Sequence, residues 1–329
     1  MSAPPLLAVR NLDVVFATPR GPLHAVDGVD LDVRPGEILG LVGESGSGKS
    51  VTLRAILRLL RGNASVSGDV SFMGEELLSA PERRMEQLRG AGIGMIFQEP
   101  MTALNPVLTI GLQIEETLAA HGTRGAVARR ARAVELMGEV GIPAPEARLA
   151  NYPHEFSGGM RQRAMIAIAL AASPALLLAD EPTTALDVTI QDQILRLLTR
   201  LTNQLGMAMI LVTHDLGVVA ETCDRVSVMY AGRIAETAPV EALFAAPRHA
   251  YTHALLRSAP QGGTPRTPLS PIKGQPAQMS EPAKGCAFVP RCEFAEAACE
   301  ARRPALTPVG DAQASACLAR DRLPPWRTM

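Results

Sequence analysis

The sequence lacks an excess of either charge: 32 lysines and arginines are balanced by 33 aspartates and glutamates, for a formal net charge of −1 at pH 7. A protein that works mainly on nucleic acid usually carries a clear positive excess, which neutralises phosphates. The composition therefore argues against nucleic acid as the dominant partner. The sequence also shows no internal repeat, which argues against a repeat architecture.

Long apolar runs are absent as well. The beginning of the chain, MSAPPLLAVRNLDVVF, has no basic segment followed by a long apolar stretch, so we expect no signal peptide. The most apolar segment, residues 164–180, is interrupted by Ser173 and Pro174, and both parts are shorter than the ~20 residues of a spanning helix. We expect a buried helix followed by a buried parallel strand, in a soluble chain that reaches a membrane only through partners.

A glycine-rich segment, GESGSGKS at residues 43–50, stands between an apolar run and a stretch with helical periodicity. Strand, glycine-rich turn and helix is the context of a phosphate-binding loop. The glycines let backbone N–H groups approach an anion, and the helix N-terminus adds a positive dipole end. Lys49 is expected to reach the β- and γ-phosphates, and the Ser50 hydroxyl to bind Mg²⁺. The loop predicts that the chain binds a nucleoside triphosphate.

Two acids end an apolar strand in the segment ALLLADEP, residues 175–182. Parallel α/β sheets bind their ligands at the carboxyl ends of the strands. Asp180 is therefore predicted to hold Mg²⁺ through water. Glu181 is predicted to act as the general base for the attacking water, or to orient that water.

The segment FSGGMRQR, residues 156–163, offers a second anion site at the start of a long apolar helix. Ser157 supplies a hydroxyl, and the two following glycines leave backbone N–H groups open. A plain helix cap is the alternative interpretation. Together with the glycine-rich loop, the segment predicts a composite site in which the loop of one monomer faces the helix end of another.

Strand and helix patterns alternate after Pro174, which predicts a mainly parallel sheet covered on both faces. Alternating strands before residue 43 predict an antiparallel region, and residues from about 100 to 172 read as helical. A hairpin is predicted about Gly232. The proline- and glycine-rich residues 259–285 read as a linker, which separates a domain at 1–258 from a small cysteine-rich module at 286–329.

The motifs GESGSGKS, FSGGMRQR, LLLADEP, TTALD and LVTHD occur in the order found in the nucleotide-binding subunits of ATP-binding cassette (ABC) transporters, which the chain resembles. Almost the whole chain is similar to the ATPase subunits of bacterial dipeptide and oligopeptide importers. This narrower resemblance rests on segments such as IFQEPMTALNPVLTIGLQI and APRHAYTHALL. It implies an α/β P-loop NTPase fold with a parallel-sheet core, an antiparallel β subdomain and a helical subdomain.

The resemblance also implies roles for individual residues. Gln98 corresponds to a glutamine that approaches Mg²⁺ and the attacking water, and His214 to a histidine that contacts the γ-phosphate. Phe16 is a candidate for stacking on adenine, with a core role as the alternative, and Asp187 is expected to cross the dimer interface. The complete predicted ATP site consists of Phe16, Gly43, Ser45, Gly46, Gly48, Lys49, Ser50, Val51 and Asp180, with Ser157, Gly158, Gly159 and Asp187 contributed in trans.

The implied function is ATP hydrolysis that drives import of dipeptides or oligopeptides. The expected partners are a second ATPase subunit of a different sequence, two transmembrane permeases and, through them, an extracytoplasmic binding protein. The expected location is the cytoplasmic face of the bacterial inner membrane. Nickel, glutathione or opine import is the alternative, and an ABC ATPase that does not transport is a more distant one.

Four of the five cysteines, Cys286, Cys292, Cys299 and Cys317, lie close together near the end of the sequence. Their spacing is wider than in zinc fingers or ferredoxins, so spacing alone indicates four thiolates and one metal site, with zinc or a disulfide pair as alternatives. The resemblance to dipeptide-importer ATPases implies a structural [4Fe–4S] cluster at these residues. We expect that cluster to fold a segment too small for a core of its own.

Overall fold

The computed structural model describes residues 4–184, 186–258, 271–277 and 280–326. The strands are β1 (Leu7–Thr18), β2 (Gly21–Val33), β3 (Ile38–Val42), β4 (Ala64–Phe72), β5 (Glu75–Glu76), β6 (Ile93–Ile96), β7 (Leu176–Asp180), β8 (Ala208–Thr213), β9 (Arg225–Tyr230), β10 (Arg233–Pro239), β11 (Thr307–Gly310) and β12 (Gln313–Ser315). The helices are α1 (Lys49–Ile56), α2 (Glu82–Ala91), α3 (Pro100–Ala103), α4 (Ile110–Ala120), α5 (Ala126–Glu139), α6 (Pro145–Arg148), α7 (Gly158–Leu170), α8 (Val188–Leu205), α9 (Leu216–Thr222), α10 (Val240–Ala245), α11 (Ala250–Ser258) and α12 (Ala297–Ala301).

These elements fall into two compact units. Unit 1 comprises the described residues of Met1–Val33, Glu37–Ser79 and Val212–Met329, and unit 2 comprises those of Arg34–Gly36 and Ala80–Leu211.

Unit 1 contains an antiparallel sheet with the strand order β2-β1-β4-β5. Its long strands alternate buried and exposed positions, as expected for a sheet with one face on the core. In the same unit β3 pairs in parallel with β9, and β9 continues through an antiparallel hairpin into β10. Gly232 lies in the turn of that hairpin with φ +80°, so the hairpin predicted about Gly232 is confirmed.

The C-terminal residues of unit 1 join the same sheet. Strand β12 pairs antiparallel with β10, with Ser315 opposite Glu236, and β11 pairs with β12. Phe288, Cys317 and Ala319 are buried in a cluster that also contains residues of β9, β10 and α11. Residues 286–329 were predicted to form a separate module, but described residues of this segment share a hydrophobic core with residues 216–256.

Unit 2 is built around helix α7. This helix is buried along most of its length and packs against α3, α4, α5, α8 and β6. Strand β7 is buried at every position and pairs in parallel with β6. The predicted division of residues 164–180 into a buried helix and a buried parallel strand is therefore confirmed.

Helix α2 begins at Glu82, with Pro81 in the capping position. The fixed φ of proline suits the start of a helix. Among the described residues, no helix is both long and apolar enough to cross a membrane.

Candidate active site

The glycine-rich loop of unit 1 connects β3 to α1 and needs glycine at its two ends. Gly43 has φ +154°, and a Cβ there would lie 2.1 Å from the Met229 carbonyl oxygen. Gly48, the N-cap of α1, has φ +105°, and its Cβ would lie 2.4 Å from the Ala25 carbonyl oxygen. Both contacts are too short for any side chain, so the loop conformation excludes all residues but glycine at these positions.

Lys49 lies inside the curve of this loop. Its Nζ donates hydrogen bonds to the carbonyl oxygens of Gly43 at 2.7 Å and Glu44 at 3.0 Å, and the residue is 4% exposed. Ser45 and Gly46 are exposed at the tip, and Ser50 and Val51 lie half-buried in the first turn of α1. A buried ammonium group surrounded by a glycine-rich turn and a helix N-terminus has the donor chemistry that binds a polyphosphate. The residues present therefore fit ATP.

Three further contacts of the loop were not predicted from the sequence. The Tyr251 hydroxyl accepts a hydrogen bond from the Glu44 backbone N–H at 2.9 Å, and the Gly232 N–H donates to the Ser47 carbonyl at 2.9 Å. Arg291 forms an ion pair with the Glu44 carboxylate. Because Tyr251 is 207 residues and Arg291 247 residues from Glu44, no local pattern could have indicated these contacts.

The two other predicted residues of unit 1 lie in different surroundings. Phe16 is half-buried in β1, opposite Leu23 of β2 and Ala64 of β4. His214 follows β8 directly and is exposed. A half-buried ring at the end of a strand is compatible with either of the two roles considered for Phe16.

Unit 2 brings Gln98 and Glu181 together. The Gln98 side-chain amide donates a hydrogen bond to Glu181 Oε2 at 3.1 Å, and the Thr184 hydroxyl donates to the same oxygen at 2.8 Å. Glu181 has φ +46°, a left-handed conformation that costs a non-glycine residue about 1–2 kcal/mol. Strain of this kind persists where the surroundings enforce it and often marks a functional site. Asp180 precedes Glu181 at the end of β7 and is fully buried.

The sequence analysis identified Gln98 and Glu181 but missed Thr184. The sequence feature that could have revealed Thr184 is a hydroxyl three residues after Glu181, in the turn that follows β7. Two donors on one carboxylate oxygen fix the position of the Glu181 side chain. Such a fixed carboxylate is able to accept a proton from a water molecule or to orient it.

Ser157 caps the N-terminus of α7. Its hydroxyl accepts a hydrogen bond from the Met160 N–H at 3.3 Å, and Ser157 and Gly158 are exposed. Gly159 lies against α8, where a Cβ would come within 3.0 Å of Ile190 Cγ2. Asp187 is exposed at the N-cap of α8. The helix cap that was the alternative interpretation is present, and the end of α7 is open to solvent.

The predicted [4Fe–4S] cluster is wrong. Among the residues that the structure describes, no group of three or more His, Cys, Asp or Glu side chains is arranged to hold a metal ion, and this finding also removes the zinc alternative. The cysteines are free thiols, and burial raises the pKa of Cys286, Cys292 and Cys317, that of Cys292 to about 11. They pack against the apolar cluster around Phe288 instead.

Comparison with known families agrees with this geometry. Residues 26–184 match the family described as "ABC transporter", and residues 235–299 match "Oligopeptide/dipeptide transporter, C-terminal region". The chain is 52% identical over 315 residues to a probable peptide ABC transporter ATP-binding protein of Sinorhizobium fredii, covering 95% of this chain and 94% of the relative. It is 50% identical over 333 residues to a putative peptide import ATP-binding protein of Brucella melitensis, covering 97% and 98%.

Solved structures give the same fold. A dimeric ATP-binding cassette in a post-hydrolysis state, bound to ADP and Pi, superimposes with a TM-score of 0.64 at 29% identity, covering 71% of this chain and 98% of that one. A subunit of an ABC transporter complex of Clostridium perfringens superimposes with a TM-score of 0.63 at 28% identity, covering 74% and 92%. Fold and site define a P-loop ATPase of the cassette type. The chain belongs to the family of ABC transporter ATP-binding proteins, as the sequence resemblance predicted.

Proposed function

We propose that this chain is the ATP-hydrolysing subunit that powers import of dipeptides or oligopeptides through a membrane ABC transporter. The observation that carries the proposal is the presence, in one chain, of the Lys49 loop and of a region at residues 235–299 that matches the C-terminal region of oligopeptide and dipeptide transporters. Relatives about 50% identical that are named for peptide import support the choice of solute.

Lys49 and the backbone N–H groups of Gly46, Gly48, Ser50 and Val51 bind the phosphates in this proposal. Their role follows from the glycine-rich turn and the buried ammonium group. The Ser50 hydroxyl ligates Mg²⁺, which neutralises charge that develops on the phosphates.

Glu181 is the proposed base. Gln98 and Thr184 hold its carboxylate, so that it meets the attacking water in one orientation. Asp180 and Gln98 would help to hold Mg²⁺. His214 contacts the γ-phosphate, and Phe16 stacks on adenine. These roles rest on the family motifs and on the local geometry of each residue.

Two ATPase subunits form the working unit in this proposal. The helix end of α7, with Ser157, Gly158 and Gly159, and the exposed Asp187 of one subunit contribute to the ATP bound by the other. Because ATP is held mostly by the pair, binding closes the dimer and hydrolysis reopens it, as in other two-state elements biased by a γ-phosphate. The partner is a related ATPase of different sequence.

Membrane permeases are implied partners of a peptide ABC importer ATPase, and we propose two of them, with an extracytoplasmic binding protein that delivers the solute. The ATPases then sit on the cytoplasmic face of the inner membrane. Closure of the ATPase pair moves the permeases. We further propose that the cassette spans residues 1–258, with a helical subdomain at about 100–172, a linker at 259–285 and an extension at 286–329.

The test uses the complete transporter, purified and reconstituted in vesicles with its binding protein. Peptide uptake should require ATP, and Lys49→Ala should weaken ATP binding to the isolated subunit, because the phosphates lose their buried cation. Direct titration with ATP measures the affinity, and mass spectrometry identifies the solute that copurifies. Unchanged ATP affinity in Lys49→Ala would contradict the site. A nickel chelate, glutathione or an opine as the copurified solute would contradict peptide import.

A further inference from the structure

The C-terminal segment of the chain reaches the phosphate-binding loop through one arginine. Arg291 Nη1 and Nη2 lie 2.6 Å and 2.9 Å from the two carboxylate oxygens of Glu44, a bidentate arrangement. The Arg291 side chain is 3% exposed and that of Glu44 is 24% exposed. Bidentate pairs of this kind fix both charge and direction, and a buried pair is weakly screened by salt.

A backbone carbonyl and two aromatic rings contact the Arg291 side chain and hold it in place. Its Nε donates to the Lys273 carbonyl at 2.8 Å, and its guanidinium carbon lies 5.8 Å and 5.9 Å from the ring centres of Tyr230 and Phe288. Tyr230 also packs against Tyr251, whose hydroxyl accepts the hydrogen bond from the Glu44 N–H. The side chain and the backbone of Glu44 are thus both anchored by one aromatic group of unit 1.

The negative charge of Glu44 would weaken ATP binding unless another group neutralises it. Glu44 is the second residue of the loop, and its carbonyl accepts a hydrogen bond from Lys49, the cation proposed to bind the phosphates. An uncompensated carboxylate there would repel a polyphosphate, because like charges near a protein surface repel each other. The guanidinium of Arg291 removes that repulsion and holds the carboxylate against the extension.

We propose that Arg291 is a positioning residue of the ATP site, which neutralises Glu44 and holds the first half of the phosphate-binding loop in the conformation that accepts ATP. This inference rests on the proposed function, since it assigns a role within the same site. The extension at 286–326 is on this view part of the ATP-binding machinery, in addition to its contribution to the hydrophobic core.

The experiment measures ATP affinity of the purified full-length chain by calorimetric titration. Arg291→Gln should raise the Kd for ATP by about tenfold or more, because Glu44 is left uncompensated beside the phosphates. The double variant Arg291→Gln with Glu44→Gln should bind ATP more tightly than Arg291→Gln, because the repelling charge is gone. Arg291→Lys, which keeps the charge but loses the bidentate geometry, should fall between wild type and Arg291→Gln.

The matched control is Arg257→Gln. Arg257 pairs with Glu293 at 3.1 Å and so also joins the extension to α11, but both side chains are exposed and neither contacts the loop in the described contacts. Its ATP affinity should equal that of wild type. In the assembled transporter, Arg291→Gln should raise the KM for ATP more than it lowers kcat, a division that a general loss of stability would not produce.

The results of these titrations distinguish failure of the proposed function from failure of the inference about Arg291. If wild type fails to bind ATP, the proposed function is overturned and this inference with it. If wild type binds ATP, equal affinity in Arg291→Gln overturns the inference and leaves the proposed function intact. A weakened Arg291→Gln that Glu44→Gln does not improve also overturns it, because the loss would then come from docking of the extension rather than from the charge of Glu44.

Discussion

At the scale of single residues, the position of Glu181 is the feature with the most direct chemical consequence. The residue adopts a left-handed backbone conformation, and both Gln98 and Thr184 donate to the same carboxylate oxygen. Conformation and hydrogen bonds together therefore give the Glu181 carboxylate a defined orientation just after β7.

Glu181→Gln preserves the size of the side chain and removes its capacity to take a proton. We expect ATP to bind normally and the closed dimer to accumulate, while turnover in the assembled transporter falls by roughly 10²-fold or more. Phosphate release and size-exclusion chromatography with ATP measure the two effects. Asp192→Asn, an exposed acid of α8 paired with Arg196, is the control and should keep wild-type turnover. Near-normal hydrolysis by Glu181→Gln would rule out the assigned role.

At the scale of elements, the junction between β10 and β12 combines sheet pairing with a buried polar network. Glu236 of β10 is fully buried, and its carboxylate accepts hydrogen bonds from the backbone N–H groups of Arg248 and His249 and from the side chain of Gln313. Ser315 donates to the Arg248 carbonyl at 2.7 Å. A network with this many partners is costly to open, so it fixes the C-terminal strands on the sheet.

His249 makes this junction sensitive to acid. Burial lowers its pKa from 6.5 to about 4, and its Nδ1 accepts a hydrogen bond from the Tyr251 N–H at 3.0 Å, which requires the neutral ring. Between pH 6.5 and about pH 4, His249 therefore stays neutral in the folded state but binds a proton in the unfolded chain. Neutral, buried His249 therefore stabilises the folded state above pH 6.5, and this stabilisation is lost as the pH falls towards 4. The loss amounts to about 2 kcal/mol between pH 7 and pH 5.

Urea unfolding at several pH values measures this effect. Burial also raises the pKa of the neighbouring Glu236, which makes the folded state more stable as the pH falls and so opposes the effect of His249. The effect of His249 is therefore measured as the difference between wild type and His249→Gln. The variant should be less stable at pH 7 but lose less stability on acidification. His154→Gln, which changes an exposed histidine in unit 2, should retain the wild-type slope. Parallel slopes for wild type and His249→Gln would contradict the assignment.

At the scale of the whole molecule, the proposed ATPase pair predicts that the exposed end of α7 contributes to the ATP site of another subunit. Ser157 and Gly158 are open to solvent, while the side chain of Phe156 just before them is 2% exposed and anchors the turn. A helix N-terminus with a serine cap and two glycines is suited to bind an anion that another subunit brings. The post-hydrolysis cassette that resembles this chain is itself a dimer bound to ADP and Pi.

Ser157→Arg tests this arrangement because it places a bulky side chain at the proposed in-trans contact. The isolated monomer should keep its ATP affinity, since its own Lys49 loop is unchanged. The assembled transporter should lose ATPase activity by at least about tenfold, which corresponds to about 1.4 kcal/mol. Titration of the monomer and turnover of the complex are both needed.

Gly138→Arg is the matched control, because it also adds an arginine to a helix of unit 2. A Cβ at Gly138 would meet nothing within 4 Å, so this variant should fold and keep its ATPase activity. Loss of ATP binding in the Ser157→Arg monomer would show that the helix end serves the ATP of its own chain. Full activity of the Ser157→Arg complex would show that the helix end does not take part.

The sequence by itself determined the features that local chemistry dictates. The spacing of Gly43, Gly48 and Lys49 is readable because positive φ values and close backbone contacts admit only glycine, and the cation must follow directly. The hairpin at Gly232 and the division of residues 164–180 follow from turn chemistry and from the lengths of apolar runs. Family resemblance added Gln98 to these local signals.

Tertiary structure decided what depends on distant partners. The pair formed by Glu44 and Arg291 joins residues 247 positions apart, and neither residue carries a local pattern that indicates the other. The four C-terminal cysteines read as a metal site when only their number and spacing are considered. In the structure Cys286, Cys292 and Cys317 pack in or against an apolar cluster, and burial raises the pKa of these three. Periodicity and turn chemistry act over a few residues, whereas charge compensation and burial depend on which surfaces the folded chain brings together.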